Sequence, residues 1–385
     1  MKVFIHQIET WLPPYAATQE SLGRLLGSWS GDPVKARVIR HVFHRSGIER
    51  RHSVLPDFTD PQRALLFKTD AEGRLLEPAT QERNRVFIEH ANTVAAELAG
   101  RLVDSSPDFD RKAVTHVITV SCTGFVNPGP DLKIVTELGL EPTVERYNLG
   151  FMGCYAALPA LRMAQQFCLA RPDAVVLVVC LELCSLHMQM KTDDDSILAN
   201  ALFSDGAAAV LVSALPPSGA APALALEQFM SALAPEGQRD MAWEIGDKGF
   251  NIVLSTYVPD VIAANVNRIV TNLLEPCGLD ADDVKLWAVH PGGRAILDKV
   301  EQSLGLDPWQ IQTSRDVLRD CGNMSSVTVL FVLARMLASA ESSASVAAMA
   351  FGPGLVIEGA VLQLLPATKT VEDRAVELEP VAAVM

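Results

Sequence analysis

The sequence lacks the features that mark several large classes of protein. Its seven cysteines form no CxxC pair and no even-spaced framework, which argues against a disulfide scaffold and a zinc module. Only 20% of its 385 residues are charged, and the net charge of −14 argues against general affinity for nucleic acid. The longest apolar helix candidate, 327–337, is too short to span a bilayer and contains Arg335. Residues 1–9 lack the apolar core of a signal peptide. We therefore expect a soluble cytoplasmic protein with reduced thiols and no metal site.

Hydrophobic residues make up 49% of the chain, which indicates an α/β protein with buried sheets. Buried apolar runs predict strands, and apolar residues at helical spacing predict helices. The predicted strands are 3–5, 113–120, 174–180, 207–212, 285–289, 346–351 and 355–365, and the predicted helices are 83–103, a helix after Cys154, and 327–337. Asp193, Asp194 and Asp195 lie in a polar segment that we interpret as a solvated loop and not as a metal site.

The second half of the chain repeats the plan of the first. Cys154 is followed by a helix and a strand near Val175, and Met324 is followed by a helix and a strand near Val346, with nearly the same gap. The helix segments 160–164 and 333–337 also resemble each other. We predict two duplicated halves, 1–215 and 224–385, joined by a Pro- and Gly-containing linker, with the active site between them.

Three glycine-containing turns carry a thiol, an imidazole and a carboxamide. Cys154 lies in Gly-Phe-Met-Gly-Cys-Tyr-Ala-Ala, His290 begins His-Pro-Gly-Gly, and Asn323 lies in Gly-Asn-Met-Ser-Ser. A helix N-terminus and a neighbouring imidazole both favour the reactive thiolate. An asparagine amide donates a hydrogen bond without titrating. This set of a nucleophile, a base and a donor suits carbon–carbon bond formation from thioesters. We interpret five of the other cysteines as buried small hydrophobes: Cys168, Cys180, Cys184, Cys277 and Cys321.

A short stretch near the start of the chain is strongly basic. It contains Lys35, Arg37, Arg40, Arg45, Arg50 and Arg51, with three histidines among them and only Glu49 opposing. One interpretation is a solvated helix face. The other is a docking site for a phosphate-bearing thioester such as coenzyme A, which an acidic protein can bind only through a local basic patch.

Five motifs in order resemble those of the type III polyketide synthases, the chalcone-synthase-like branch of the thiolase superfamily. They are the Cys154 turn, Phe203-Ser204-Asp205-Gly206, His290-Pro291-Gly292-Gly293, Gly322-Asn323-Met324-Ser325-Ser326 and Phe351-Gly352-Pro353-Gly354. The resemblance implies a thiolase-like, five-layered αβαβα fold and a homodimer. It also implies an acyltransferase that extends an acyl-coenzyme A starter by iterative decarboxylative condensation with malonyl-coenzyme A. Coenzyme A thioesters are then substrates, and no further cofactor is expected.

The same resemblance implies roles for particular residues. Cys154 would hold the acyl chain, and His290 and Asn323 would bind the thioester carbonyl of malonyl-coenzyme A, where negative charge grows as carbon dioxide leaves. Phe203 and Phe250 match the two gatekeeper aromatics between the coenzyme tunnel and the cavity. The remaining matched positions are Cys122, Thr123 and Ser325, which would line the cavity, and Arg45, which would bind coenzyme A with Arg37 and Arg40 as candidates.

Two positions depart from the plant enzymes. Asn127 stands before Pro128, where the plant enzymes carry a methionine that reaches into the partner's cavity. Cys122 stands where they usually have threonine, which is similar to the bacterial branch and introduces a potential second reactive thiol near Cys154.

Several alternatives stay open. A β-ketoacyl-acyl carrier protein synthase III shares the Cys-His-Asn logic, and a non-catalytic homologue would act as a partner or scaffold. For the product, we expect an alkylpyrone or alkylresorcinol from a fatty acyl starter, and a malonyl-only phloroglucinol or tetrahydroxynaphthalene synthase is the alternative. Ala156, Ala157, Ala199 and Ala201 are compatible with a tunnel for an alkyl chain.

Overall fold

A computed structural model describes residues 1–72 and 75–368 as a mixed α/β fold with one large sheet. The strands are β1 (Val3–Trp11), β2 (Tyr15–Thr18), β3 (Arg50–Ser53), β4 (His116–Ser121), β5 (Glu145–Gly150), β6 (Val175–Leu183), β7 (Asp205–Ser213), β8 (Ala223–Leu233), β9 (Met241–Gly246), β10 (Gly249–Leu254), β11 (Leu286–Val289), β12 (Ala344–Gly352) and β13 (Val356–Leu365). The helices are α1 (Gln19–Trp29), α2 (Pro33–Arg45), α3 (Thr80–Asp104), α4 (Pro130–Leu138), α5 (Ala157–Ala170), α6 (Asp194–Leu202), α7 (Val258–Leu274), α8 (Arg294–Leu304), α9 (Pro308–Cys321) and α10 (Thr328–Ala338).

The sheet order shows the internal duplication. Nine strands run β11-β12-β13-β8-β1-β7-β6-β4-β5, and the antiparallel pair β1–β8 joins the two halves at the centre. Outward from that pair, the strand order in one half is β1-β7-β6-β4, and in the other it is β8-β13-β12-β11. In both halves the first two pairings are antiparallel and the third is parallel. The predicted duplication is confirmed. The predicted boundaries 1–215 and 224–385 stay a prediction, and residues 369–385 lie outside the described part of the chain.

Side chains that alternate along the buried strands give each half of the large sheet two apolar faces. One face packs on a central core and the other on an outer core. In β6, Val176 and Val178 face the central core, whereas Val175 and Leu177 face an outer core, because successive side chains of a strand point to opposite faces. The central core is filled by α5 and α10. The outer cores contain α3 over the first half and α7 over the second. The five-layered αβαβα fold predicted from the motifs is therefore confirmed.

The structure corrects one local prediction. Asp193, Asp194 and Asp195 do not form a loop but begin α6, and Asp193 caps it by accepting a hydrogen bond from the Ser196 N–H at 3.0 Å. Acidic side chains in a first turn are stabilised by the helix dipole, which explains why three of them occur there. The sequence analysis also missed the β9–β10 hairpin, which forms a separate two-stranded sheet beside the large one.

Candidate active site

Cys154 lies in a tight turn between β5 and α5, three residues before the helix begins. Gly153 has φ +91°, a conformation that favours glycine, and a Cβ there would lie 2.5 Å from the Pro353 ring. The turn brings the thiol close to the N-terminus of α5, as the sequence predicts. It also packs against the Phe351–Gly354 motif of the other half, because a Cβ on Gly352 would meet the Tyr155 ring at 2.5 Å.

His290 follows β11 directly and is 1% exposed. Its backbone N–H donates to the Met349 carbonyl at 2.7 Å, which extends the β11–β12 pairing by one residue. Within residues 1–72 and 75–368, neither ring nitrogen has a hydrogen-bond partner. Burial lowers the pKa of His290 to about 3, so the resting ring is neutral. Two unpaired nitrogens on a buried ring indicate a group that meets a ligand.

Asn323 is held in place by backbone and side-chain hydrogen bonds. Its N–H donates to the Leu202 carbonyl at 2.9 Å, and it forms a parallel bridge with Phe203. Its Nδ2 donates to the Gly292 carbonyl at 3.1 Å, and its Oδ1 accepts from the Ser325 N–H at 2.9 Å. These bonds fix the plane of the amide and leave one Nδ2–H for another acceptor.

The structure brings the thiol, the imidazole and the amide together on the wall of one small cavity, which we call the inner cavity. Its volume is about 50 Å³. The wall comes from both halves of the chain and consists of Cys122, Thr123, Gly153, Cys154, Cys184, Phe203, Met241, Ala242, Trp243, Ile252, Leu254, His290, Gly292, Ile296, Asn323, Ser325, Phe351 and Pro353. Every residue that the sequence assigned to catalysis or to the cavity is present here, except Phe250.

The resting thiol of Cys154 is protonated. Burial raises its pKa to about 12, and interactions with the Ser325 and Asn323 side chains only partly oppose this effect. The sequence predicted that the helix and the imidazole would favour the thiolate. The structure differs because His290 is buried and Cys154 is half-buried, and removal from water disfavours a charge on either one alone. A thiolate therefore requires a proton transfer within the site.

The sequence analysis missed Glu182, a fully buried carboxylate in β6. It accepts hydrogen bonds from the Cys122 N–H at 3.0 Å, the Thr123 hydroxyl at 2.9 Å and the Ser326 hydroxyl at 2.6 Å. These bonds hold the wall of the inner cavity from both halves of the chain. Burial raises the pKa of Glu182, while the hydrogen bonds lower it.

Cys122 lies against this carboxylate. Its Sγ is 3.4 Å from the Glu182 carboxylate and 3.2 Å from the Ser325 hydroxyl. Burial raises the pKa of Cys122 well above its usual value, and the negative charge of Glu182 adds to the effect. The raised pKa disfavours the Cys122 thiolate, and the thiolate is the nucleophilic form. This argues against Cys122 as a second reactive thiol.

A second cavity, which we call the outer cavity, adjoins the inner one. Cys184, Phe203, Trp243 and Ile252 line both, so they form the wall between them. Phe250 lines only the outer cavity, where its ring stacks on His187 with 3.8 Å between centroids. Phe203 thus stands between the two cavities together with Trp243 and Ile252, whereas Phe250 does not line the inner cavity. The gatekeeper roles of Phe203 and Phe250 stay a prediction.

The basic stretch is divided between two elements. Lys35, Arg37, Arg40 and Arg45 lie on the exposed face of α2, whereas Arg50 and Arg51 belong to β3, where Arg51 is buried and lines the outer cavity. Arg37, Arg40 and Arg45 are exposed and make no ion pair with any other described residue. Just beyond Arg45, a Cβ on Gly47 would lie 3.3 Å from the Arg294 side chain, at the start of α8. Because Ile296 of α8 lines the inner cavity, the C-terminal end of α2 lies near the catalytic residues, although the three arginines line neither cavity.

Over 1–72 and 75–368, no group of three or more histidine, cysteine, aspartate or glutamate side chains is arranged to hold a metal ion. Within the same ranges, every helix is too short or too polar to cross a membrane.

Comparisons with known proteins agree with the geometry. The family model for the N-terminal domain of chalcone and stilbene synthases matches residues 31–216, and the model for the C-terminal domain matches residues 225–366. The chain is 33% identical over 371 residues to the alpha-pyrone synthesis polyketide synthase-like Pks18 of Mycobacterium tuberculosis, covering 94% of this chain and 91% of that protein.

Solved structures are similar over nearly the whole chain. The C-terminal type III polyketide synthase domain of Steely1, a type I/III hybrid from Dictyostelium, gives a TM-score of 0.86 at 29% identity and covers 96% of this chain and 100% of that one. The 1,3,6,8-tetrahydroxynaphthalene synthase of Streptomyces coelicolor A3(2) gives 0.82 at 26% identity, covering 95% and 100%. Both family models match the chain across most of its length, and a Cys-His-Asn site lies at the junction of its halves. The chain therefore belongs to the chalcone and stilbene synthase family, the type III polyketide synthases.

Proposed function

We propose that this acyltransferase condenses malonyl-coenzyme A iteratively, with loss of carbon dioxide, onto a fatty acyl starter and releases an alkylpyrone or alkylresorcinol. One observation carries the catalytic part of the proposal. The unpaired nitrogens of His290 and the amide of Asn323, which interacts with the Cys154 thiol, share a small cavity with that thiol. Hydrogen-bond donors beside a nucleophile fit a carbonyl oxygen that becomes negatively charged.

The first step loads the starter. The Cys154 sulfur attacks the thioester carbonyl of the acyl-coenzyme A while its proton passes to neutral His290. The tetrahedral intermediate collapses, the carbon–sulfur bond to coenzyme A breaks, and the departing thiolate takes the proton from His290. The site is left neutral with the acyl group on Cys154. The low pKa of His290 fits this role, because a ring that is neutral at rest can accept the proton and then release it.

The second step extends the chain. Malonyl-coenzyme A binds with its thioester oxygen facing His290 and Asn323, and its carboxylate leaves as carbon dioxide. The electron pair of the broken bond forms an enolate, whose oxygen the donors stabilise. The enolate carbon attacks the acyl carbonyl on Cys154, and the carbon–sulfur bond to Cys154 breaks. The extended chain is then a coenzyme A thioester, and the Cys154 thiolate takes up one proton from solvent. The next round begins when Cys154 attacks this thioester as in the loading step. Glu182 holds the Cys122–Thr123 wall in place through its hydrogen bonds during these steps but does not touch the reacting atoms.

The choice of an alkyl starter is supported by two observations. The outer cavity next to the inner one has a largely apolar wall, and a relative with 33% identity is named for alpha-pyrone synthesis. The similarity to tetrahydroxynaphthalene synthase favours the malonyl-only alternative. A β-ketoacyl-acyl carrier protein synthase III and a non-catalytic scaffold receive no such support.

Further parts of the proposal concern binding and assembly. Arg45, with Arg37 or Arg40, binds the phosphates of coenzyme A near the start of α8, where Arg294 adds a fourth cation. The protein acts as a cytoplasmic homodimer that uses coenzyme A thioesters as substrates and needs no other cofactor. The exposed Asn127 takes the place of the methionine that reaches across the dimer in plant enzymes.

A starter panel tests the function. Purified enzyme is incubated with malonyl-coenzyme A alone and with acyl-coenzyme A starters of increasing length, and the products are identified by mass spectrometry. We expect pyrones or resorcinols that carry the alkyl chain of the starter. Aromatic products from malonyl-coenzyme A alone, with every acyl starter left unused, would support the malonyl-only alternative. Dependence on acyl carrier protein would contradict both.

A further inference from the structure

The segment that carries Asn323 makes an unusual turn before α10 begins. Ser325, two residues later, has φ +49°, in the left-handed region that a residue with a side chain rarely adopts. Such a backbone conformation persists only where the surrounding structure holds it. The hydrogen bonds that hold this turn therefore determine how the Asn323 amide faces the inner cavity.

The plane of the Asn323 amide depends directly on the turn. Asn323 Oδ1 accepts the Ser325 N–H at 2.9 Å, and this N–H belongs to the peptide unit between Met324 and Ser325. A rotation of that peptide unit would break the bond. Because the side-chain amide is planar, a change at Oδ1 also redirects the Nδ2 donor on the same carbon.

The Thr328 hydroxyl holds the turn from the start of α10. It accepts the Met324 N–H at 2.9 Å and donates to the Ser325 carbonyl at 2.9 Å. These two groups belong to the peptide units on either side of the Met324–Ser325 peptide. Asn323 Oδ1 lies 3.5 Å from the hydroxyl, so its single hydrogen goes to the nearer Ser325 carbonyl. One oxygen atom thus fixes the peptide unit that orients the amide.

Thr328 can influence the reaction only through this turn. Its side chain is fully buried and lines neither the inner nor the outer cavity. Without the hydroxyl, the buried Met324 N–H would lose its acceptor. Because a buried donor without a partner is costly, the turn would rotate to find another one.

Other contacts keep Asn323 in its place when the hydroxyl is removed. Its N–H donates to the Leu202 carbonyl at 2.9 Å, and its carbonyl accepts the Ser204 N–H at 2.8 Å. Both bonds come from the other half of the chain and do not involve Thr328. We therefore expect loss of the hydroxyl to change the direction of the amide and not the position of the backbone at Asn323.

We propose that Thr328 is a positioning residue for the decarboxylation of malonyl-coenzyme A. Its hydroxyl holds the 323–325 turn so that the Asn323 amide points at the thioester oxygen on which negative charge develops. The inference rests on the proposed function, in which Asn323 stabilises the enolate. Because that charge grows only in the transition state, a misdirected donor lowers kcat and spares KM.

Two substitutions separate the hydroxyl from the size of the side chain. Thr328→Val removes the hydroxyl at nearly constant volume, and Thr328→Ser keeps it. Release of carbon dioxide from malonyl-coenzyme A gives kcat and KM. For Thr328→Val we expect kcat to fall by about tenfold, less than loss of the whole donor would cost, with KM changed by less than about twofold. Thr328→Ser should restore the wild-type kcat.

Thr119→Val is the matched control. Thr119 is also a buried threonine, and its hydroxyl donates to the Tyr147 carbonyl at 3.4 Å. It belongs to β4 and lines neither cavity. The same chemical change at this position should leave both kcat and KM unchanged.

A double variant tests whether the effect passes through Asn323. Asn323→Ala combined with Thr328→Val should be no slower than Asn323→Ala alone, because there is no amide left to misdirect. Losses that multiply in the double variant would overturn the inference and indicate a general role in the fold. An unchanged kcat in Thr328→Val would overturn it as well.

The outcomes separate this inference from the proposed function. If Asn323→Ala keeps the wild-type rate, or the wild-type enzyme releases no carbon dioxide, the proposed function is refuted and this inference with it. If Asn323→Ala is slow and Thr328→Val is not, only this inference fails. Circular dichroism reports the fold. Thr328→Ala, which removes the same hydroxyl with less bulk, replaces Thr328→Val if that variant is unfolded, and loss of the fold in both would show a purely structural role.

Discussion

Removal of the His290 imidazole should make the Cys154 thiolate much harder to form. Burial raises the pKa of the thiol to about 12 and lowers that of the histidine to about 3, so each charge is unfavourable alone. A thiolate and an imidazolium formed together stabilise one another, and the proton does not leave the site. In His290→Ala the thiolate must form without this compensation.

The size of the effect follows from the buried thiol. With a pKa of about 12, roughly one Cys154 side chain in 10⁴ is ionised at pH 8, whereas about a quarter of ordinary thiols are. A thiol with this pKa and no imidazolium beside it would be alkylated on the order of 10³ slower at pH 8 than an ordinary thiol, and His290→Ala should show at least this slowing. We expect the wild-type rate to rise with pH at least about one unit earlier than that of the variant, which corresponds to about 1.4 kcal/mol.

The assay is iodoacetamide labelling between pH 6 and pH 10, followed by quantification of the peptide that contains Cys154. This readout separates Cys154 from the other six cysteines. Lys285→Ala serves as the control, because it removes an exposed cation that lines neither cavity and keeps the imidazole. Superimposable pH profiles for wild type and His290→Ala would show that the two side chains are not paired, and the mechanism of the loading step would need another base.

Three further predictions concern the division of labour in the site. Cys154→Ala should abolish polyketide formation yet retain malonyl-coenzyme A decarboxylation, measured as release of carbon dioxide; full polyketide output would contradict the assignment of the nucleophile. Asn323→Ala and His290→Ala should each slow decarboxylation by about 10²–10³, the effect of losing one oxyanion donor, and an unchanged rate would exclude that donor. Arg45→Ala should raise KM for malonyl-coenzyme A, spare kcat, and hardly affect N-acetylcysteamine thioesters, with the effect shrinking as salt is added. Lys285→Ala, which removes an exposed cation elsewhere, is the control and should change neither KM nor kcat. If Arg45→Ala lowers the activity on coenzyme A and N-acetylcysteamine thioesters equally, Arg45 supports the fold and not the coenzyme.

The main elements of the fold could be predicted because their signals are local. Fully apolar runs mark β6 and β7, which are buried on both faces, and helical spacing marks α3 and α10. Cys154, His290 and Asn323 were found because each lies in a glycine-containing turn. Glu182 gave a weaker signal, a lone carboxylate in an apolar strand. The donors that make its burial tolerable lie 60 and 144 residues away, and no short window of sequence contains them.

The hairpin shows why the cavity wall could not be predicted in full. In β9–β10, Ile252 pairs with Trp243, whereas Phe250 pairs with Ile245. Which pair faces the catalytic residues depends on how the hairpin sits on the rest of the molecule. The resemblance to the family pointed to Phe250 in this segment, and Phe250 lines only the outer cavity. The acidic run at Asp193 is different, because a helix cap was readable there and was interpreted as a loop.

The central position of β1 has a consequence for how the chain acquires its structure. β1 precedes the other strands of the sheet along the chain, yet it lies between β7 and β8. Phe4 pairs with Ser213 and Val3 with Leu226, so the middle of the sheet can close only after those partners have been synthesised. Pairings this distant in sequence are slow to form, and unpaired strand edges are prone to aggregation. Although the two halves repeat one another, one edge of β1 in the first half stays unpaired until β8 at the start of the second half has been synthesised. During translation, the exposed edge of β1 therefore needs protection from aggregation until these partners are available.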